Sequence, residues 1–303
     1  MFKILSLDGG GSKGVYTIGV LEELEQKLGG RLHQHFDLVY GTSTGSIIGA
    51  LICLGESVST IKEHYFTLIP DIMGRWFRST RSNCLASHSE KIFGEKKFDA
   101  FLTNIGVVAT NYDQQKPLIF KSDVKFSHGR KGTFKPGFGC TIREAVEASC
   151  AAYPIFNKVE VNTSNQGIVT AIDGGFVANN PTLFAITDAH AALGEPTSNI
   201  KVLSVGVGLY LEKPINFQME FLSKFEIAQL VSTVLTTSSV TNEQISKLLF
   251  AETDIIRIND AFLEKKHETN MIEKDKKKLD ELYYLGRNSF GKFEREFEKI
   301  FLK

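Results

Sequence analysis

The chain opens on an apolar run, Phe2–Leu7, that stops at Asp8 and a string of glycines. A short apolar run closed by turn residues reads as a buried strand. Beyond the glycines, Val15, Ile18, Leu21, Leu24 and Leu28 share one helical face, so Val15–Leu28 is expected to be an amphipathic helix. The alternation then repeats. Phe36–Tyr40 reads as a strand, Gly45–Leu54 and Val58–Ile69 as helices, and Ile105–Asn111 and Leu118–Phe120 as strands. Thr141-Ile142-Arg143-Glu144 has the pattern of a capping box, expected to start a helix that runs to about Ala152 before Pro154 stops it. Gly167–Ile172 and Lys201–Val207 read as strands, and Asn180-Pro181 between them opens a helix expected to reach Leu193. Phe225–Phe250 is expected to be helical, Asp254–Ile258 to be a last strand, and the chain from Leu263 onward to be charged and helical. Ser122–Gly139 reads as a loop.

Strands alternating with helices predict the α/β class, a three-layer α/β/α arrangement with a mainly parallel central sheet. The length of 303 residues suits one large domain over 1–260 and a charged helical extension, 261–303, packed on the same domain.

Three glycine-bearing segments fall at the ends of expected strands. Gly41-Thr42-Ser43-Thr44-Gly45 lies between a strand and a helix, which is the layout of a nucleophile elbow. Asp8-Gly9-Gly10-Gly11-Ser12-Lys13-Gly14 joins the first strand to the first helix; consecutive glycines let backbone N–H groups converge on an oxyanion. Asp173-Gly174-Gly175 closes the strand Gly167–Ile172 and places an acid at the same sheet edge.

In this order the three segments resemble the patatin-like phospholipase family. The stretches Val107–Tyr112, Glu147–Phe156, Asn179-Asn180-Pro181 and Ser204–Gly208 fit the same resemblance, which runs from about Ile4 to Gly208. The family usually has an arginine where this chain has Lys13. The resemblance implies a Ser–Asp dyad, with Ser43 as nucleophile and Asp173 as base. The alkoxide would be held by N–H groups of Gly9, Gly10 and Gly11 together with Thr44. Lys13, Gly14, Gly41, Gly45, Gly174 and Gly175 belong to the supporting motifs. The implied substrate is a membrane phospholipid, cleaved at a fatty-acyl ester. Compact bacterial members of this layout resemble the effectors of cyclic-oligonucleotide antiphage systems, which implies a cyclic dinucleotide activator. A catalytically silent lipid or nucleotide sensor of the same fold is the alternative, although it need not keep all three segments.

Each feature also has a plainer explanation. Ser43 alone could be a Gly/Ser turn, and Asp173 alone a turn-forming Asp before Gly. Lys13 either braces the loop, meets a phosphate headgroup or stands in solvent. Gly9–Gly14 also satisfies G-x-G-x-x-G, but the second strand ends in the serine elbow and not in the acid a dinucleotide site needs. None of the seven histidines lies in a strand-end motif, so a Ser-His-Asp triad is the lesser alternative. His64–Arg81 combines aromatics with arginines; this suits a membrane interface or a lid, or else core packing with a solvated basic edge.

The net charge of zero argues against a nucleic acid polymer as partner. Cys53, Cys84, Cys140 and Cys150 lack C-x-x-C spacing and read as reduced structural thiols. No residue cluster has metal-ligand spacing, so neither a metal nor a cofactor is expected. Met1–Leu7 is too short for a signal peptide and no apolar run has transmembrane length, which predicts a cytoplasmic protein that visits the inner face of the membrane. Oligomeric state is open.

Overall fold

The first strand, β1 (Phe2–Leu7), sits near the centre of an eight-stranded sheet, paired in parallel on both sides. The computed structural model describes residues 1–210 and 224–302. After β1 come α1 (Gly14–Leu28), β2 (Leu38–Thr42), α2 (Thr44–Cys53), α3 (Val58–Met73) and α4 (Arg78–Phe93). Then follow β3 (Asn104–Asn111), β4 (Lys116–Lys121), α5 (Ile142–Ser149), β5 (Val159–Thr163) and β6 (Gly167–Asp173). The chain continues through α6 (Gly175–Ala178), α7 (Thr182–Thr187), β7 (Ile200–Val205), β8 (Leu209–Tyr210) and α8 (Lys224–Leu249). It ends with β9 (Asp254–Ile258), β10 (Ala261–Phe262) and α9 (Lys276–Phe301).

The sheet order is β5-β6-β3-β2-β1-β7-β9, with β4 paired to β3, and β8 and β10 form a separate pair. β3, β2, β1, β7 and β9 run parallel; β4 and β6 run against β3, and β5 pairs antiparallel with β6. Successive residues of the central strands face opposite layers. Leu5, Leu7, Val39, Leu203 and Val205 pack with residues of α1 to α5 and α9. Ile4, Leu38, Tyr40, Ile200 and Val202 pack with Ala178, Ala185 and Ile186 on the other side. These two apolar cores make the three layers expected of the sequence.

Several elements depart from the expectations. β2 runs on through Gly41 and Thr42, and α3 continues through Pro70 to Met73, whose side chain is buried. α5 ends at Ser149, short of Ala152. The helix expected to reach Leu193 is regular only over α7 and widens into a π-helical turn at Asp188–Ala192. There the buried Asp188 accepts hydrogen bonds from Tyr40 and Lys121.

α4 was not legible because only Leu85, Ser89 and Phe93 are buried along its sixteen residues, a stripe one residue wide. β5 is an edge strand in which Glu160 and Asn162 are polar and exposed. α9 is charged, yet its Leu279, Leu282, Tyr283, Phe290, Phe297 and Phe301 are buried. It crosses α1 at two glycines: a Cβ at Gly286 would lie 2.1 Å from the Tyr16 carbonyl oxygen, and one at Gly19 2.1 Å from that of Tyr283.

Candidate functional site

Sheet register brings Ser43 and Asp173 together. β3 carries β4 along one edge, so β2 and β6 must share the other edge in succession. The last pair of β2 is Thr42 with Val108, and the adjoining pair of β6 is Asp173 with Ala109. Two strands therefore end head to head on consecutive residues of β3. Ser43 leaves one of them and Asp173 terminates the other.

Ser43 has φ 51° and ψ −122°, a conformation that L-residues rarely adopt. Such a residue costs about 1–3 kcal/mol and persists only where its surroundings hold it. The Ser43 amide donates to Ser149 Oγ at 2.8 Å, and that hydroxyl donates to the Val108 carbonyl at 2.6 Å. The elbow also needs close backbone approach: a Cβ at Gly45 would lie 2.2 Å from the Leu7 carbonyl oxygen, and one at Gly41 2.3 Å from that of Gly45. α2 starts at Thr44, so its N-terminus and dipole point at the serine.

Asp173 is fully buried. Its Oδ1 accepts the Gly175 amide at 2.7 Å, its own N–H donates to the Ala151 carbonyl at 3.0 Å, and the Gly174 amide donates to that of Ser149 at 3.2 Å. Burial pushes its carboxyl up to about 6, while the Ser43 hydroxyl and the Gly175 amide hold it from going higher. Oδ2 has no aligned hydrogen-bond partner among the described residues. The serine hydroxyl is thus close enough to stabilise the carboxylate, though no aligned bond joins them. Such contacts commonly tighten only when substrate is bound.

The glycine loop lies against the elbow, with Gly9 packed beside the Ser43 Cβ. Its peptides are turned by their carbonyls. The Gly9 carbonyl accepts Asn179 Nδ2 at 3.1 Å, and the Gly10 carbonyl accepts the Lys13 amide at 3.3 Å. In a trans peptide the N–H then points the opposite way, which leaves the amides of Gly10 and Gly11 directed out of the turn. No hydrogen bond among the described residues engages the N–H of Gly10, Gly11 or Thr44. Gly9 is a correction: its amide donates to the Asn179 carbonyl at 3.0 Å and is spent. Gly11 needs a left-handed φ of 57°, and its carbonyl is pinned by Thr44 Oγ1 at 2.9 Å and by Tyr65 OH.

The supporting residues also converge here. Gly14 packs on the Thr44 side chain, and Gly174 on the Val108 carbonyl. Gly175 lies between Leu235 and Asp173. Lys13 is only 8% exposed, and its ammonium donates to the Gly208 carbonyl at 3.4 Å. It braces the loop and does not stand in solvent. At the head of the loop, Asp8 is held by both guanidinium nitrogens of the buried Arg257, at 2.8 and 2.5 Å, and by Ser239 at 2.6 Å. Sequence reasoning missed Ser149, Tyr65 and Arg257 as parts of the site. For Arg257 the available signal was one charge inside the apolar strand Asp254–Ile258.

Ser43, Thr44 and Gly11 open onto an apolar pocket of about 40 Å³. Its walls include Ile47, Leu68, Ile72, Met73, Ile155, Phe156 and Met271. No histidine lines it. Most aromatic and aliphatic residues of His64–Arg81 are core, as Tyr65, Leu68, Ile69, Ile72 and Met73 are buried; Trp76 and Phe77 are not.

Cys53, Cys140 and Cys150 are buried and Cys84 is half-buried; all four are free. One group that spacing did not reveal joins α3 to α4: ligand atoms of Asp71, Cys84 and His88 lie within 4.8 Å of one another. His88, Cys84 and Arg75 hydrogen-bond to Asp71 and hold its carboxyl down at about 2. No helix among the described residues is long and apolar enough to cross a membrane.

The model of the family described as patatin-like phospholipase matches residues 5–186. A cUMP-AMP-activated phospholipase of Escherichia coli is 42% identical over 99% of this chain and 94% of its own length. A cGAMP-activated phospholipase of Escherichia coli strain TW11681 is 29% identical over 61% of this chain and 55% of its own. Patatin-like protein 2 of Arabidopsis thaliana is 30% identical over 65% of this chain and 53% of its own. Among solved structures, VipD from Legionella pneumophila aligns over 96% of this chain and 66% of its own, with a TM-score of 0.49 and 12% identity. With a family match over most of the chain and close identity to a relative along nearly all of it, the protein belongs to the patatin-like phospholipase family.

Proposed function

We propose that this protein is a serine lipid acyl hydrolase that cleaves fatty-acyl esters of membrane phospholipids and is switched on by a cyclic dinucleotide. The observation that carries the chemistry is the meeting of a strained Ser43, a buried Asp173 and the open amides of Gly10, Gly11 and Thr44 at the mouth of an apolar pocket. Asp173 takes the Ser43 proton as Oγ bonds to the ester carbonyl carbon. The carbonyl oxygen becomes an alkoxide, held by the three amides and the α2 dipole. The alkoxide collapses and breaks the ester C–O bond, and the protonated Asp173 returns its proton to the departing alcohol. Water then attacks the acyl-Ser43 ester with Asp173 again as base, which releases the fatty acid and restores the hydroxyl.

The substrate class and the switch rest on the relatives described as cyclic-dinucleotide-activated phospholipases. The pocket beside Ser43 is narrow and apolar, and widening it for an acyl chain is a step on which a switch can act. An activator that binds the open form better shifts the population toward it. In this reading the enzyme works at the inner face of the membrane. The test is fatty-acid release from phospholipid vesicles with cUMP-AMP, with cGAMP and with neither. Release that depends on one nucleotide is expected. Full release without any nucleotide would remove the switch, and no release under any condition would favour a silent sensor.

A further inference from the structure

The connection between α3 and α4 carries an exposed aromatic pair at the end of the acyl pocket. Trp76 is 70% exposed and Phe77 63% exposed, inside a stretch, 74–80, in which every residue is exposed. Between Asp71 and Glu90 the chain carries Arg75, Arg78 and Arg81 and no acid. Asp71 is matched by Arg75 at 2.5 Å, so Arg78 and Arg81 stand as excess positive charge on a chain whose net charge is zero. The Arg81 guanidinium donates to the Arg75 carbonyl at 2.9 Å, which fixes the shape of the connection.

The basic surface continues beyond the connection. Arg78 lies over the Tyr153 ring at 5.8 Å, Lys158 over the same ring at 5.0 Å, and Lys158 over Tyr112 at 3.2 Å. The Ser82 hydroxyl accepts the Asn157 amide at 2.9 Å and ties α4 to that segment. Both halves of this surface extend pocket walls: Ile72 and Met73 lead into the connection, and Ile155 and Phe156 adjoin Tyr153.

We infer that Trp76 and Phe77, ringed by Arg78, Arg81 and Lys158, are the surface by which the enzyme seats itself on an anionic phospholipid bilayer. Charge complementarity selects that occupant. Tryptophan and tyrosine favour the headgroup level, and arginines flanking an inserted apolar pair meet lipid phosphates. Seated this way, the molecule turns the end of its acyl pocket toward the lipid. The inference rests on the lipase reading for its purpose, but its test does not need hydrolysis.

Full-length Ser43→Ala protein, which leaves the lipid intact, is sedimented with vesicles of neutral lipid and with vesicles containing anionic lipid. Preference for anionic vesicles is expected. Adding Trp76→Ala and Phe77→Ala should lower the partition roughly tenfold or more. Replacing Arg78 or Arg81 by Gln should lower it about fivefold each, on anionic vesicles only. In chains that keep Ser43, the Trp76, Phe77 and Arg78 substitutions should leave the melting temperature and Ser43 labelling by a soluble fluorophosphonate unchanged. Partition equal to that of the parent would overturn the inference. So would loss of labelling in parallel with partition, which would mark a structural role. A dimer that these substitutions dissociate, with no vesicle binding at all, would assign the surface to a second copy and overturn it too.

Discussion

The hydroxyl of Ser149 accepts the amide hydrogen of Ser43 at 2.8 Å and gives its own to the Val108 carbonyl at 2.6 Å. One side chain on α5 therefore ties the strained elbow to β3, the strand that also positions Asp173. Ser149→Ala removes the partner of the Ser43 amide and one donor to the Val108 carbonyl in a buried spot. A loss of about 1–3 kcal/mol in stability is expected, read from the urea midpoint. The turnover number should fall about 10- to 100-fold with little change in KM, because a misplaced nucleophile affects chemistry more than binding.

Gly11→Ala tests the oxyanion loop. A methyl there would lie 2.3 Å from the Met271 carbonyl oxygen, on a backbone with φ of 57°. The loop must shift, and its amides with it. Loss of one donor typically lowers turnover by about 10²–10³. Gly9 is not a donor, so displacing the Gly10–Gly11 amides should account for the effect; a variant that keeps full turnover would remove those amides from the mechanism.

Asp173 makes activity and stability respond to pH in opposite directions. As a base it must be ionised, so kcat/KM should rise through about pH 6 and level off above it. Its value is 3.8 when exposed and about 6 when folded, so the folded state binds the proton more tightly. Its stabilising contribution is complete below 3.8, is lost as pH rises through about 6, and is constant beyond. The difference is about 3 kcal/mol. Asp173→Asn removes the charge, so it should raise the melting temperature at pH 8 while abolishing hydrolysis. A variant less stable than wild type at that pH would contradict this account of the carboxyl.

Arg257 and Asp8 form a buried bidentate pair at the head of the glycine loop. Arg257→Met leaves the Asp8 charge buried with only Ser239 against it. A loss of about 3–5 kcal/mol is expected, and the double variant with Asp8→Asn should recover most of it. A chemical denaturation series on Arg257→Met, Asp8→Asn and the double variant reads this directly.

The site was legible where backbone geometry demands a residue type. Ser43 and its glycines, and Asp173 at a strand end, could be placed from sequence because a sharp strand–helix turn and a close loop approach admit few alternatives. The parallel core was legible for a similar reason, since β1, β2 and β7 are short apolar runs with breakers at both ends. What could not be read depended on register. Nothing in the chain tells that β6 takes over β2's edge of β3, that Ser149 reaches the Ser43 amide, or that the Gly9 amide is taken by Asn179. α4 and β5 were missed because a stripe of three buried positions and a polar edge strand carry almost no hydrophobic periodicity. The charged composition of α9 obscured a buried face that glycine contacts seat on α1.

The most direct measurement is fatty-acid release from phospholipid vesicles by wild type, Ser43→Ala and Asp173→Asn, each with saturating cUMP-AMP. The account predicts release by wild type and a fall on the order of 10³-fold or more in both variants, with all three proteins folded. Release by either variant at the wild-type rate would contradict the Ser43–Asp173 dyad.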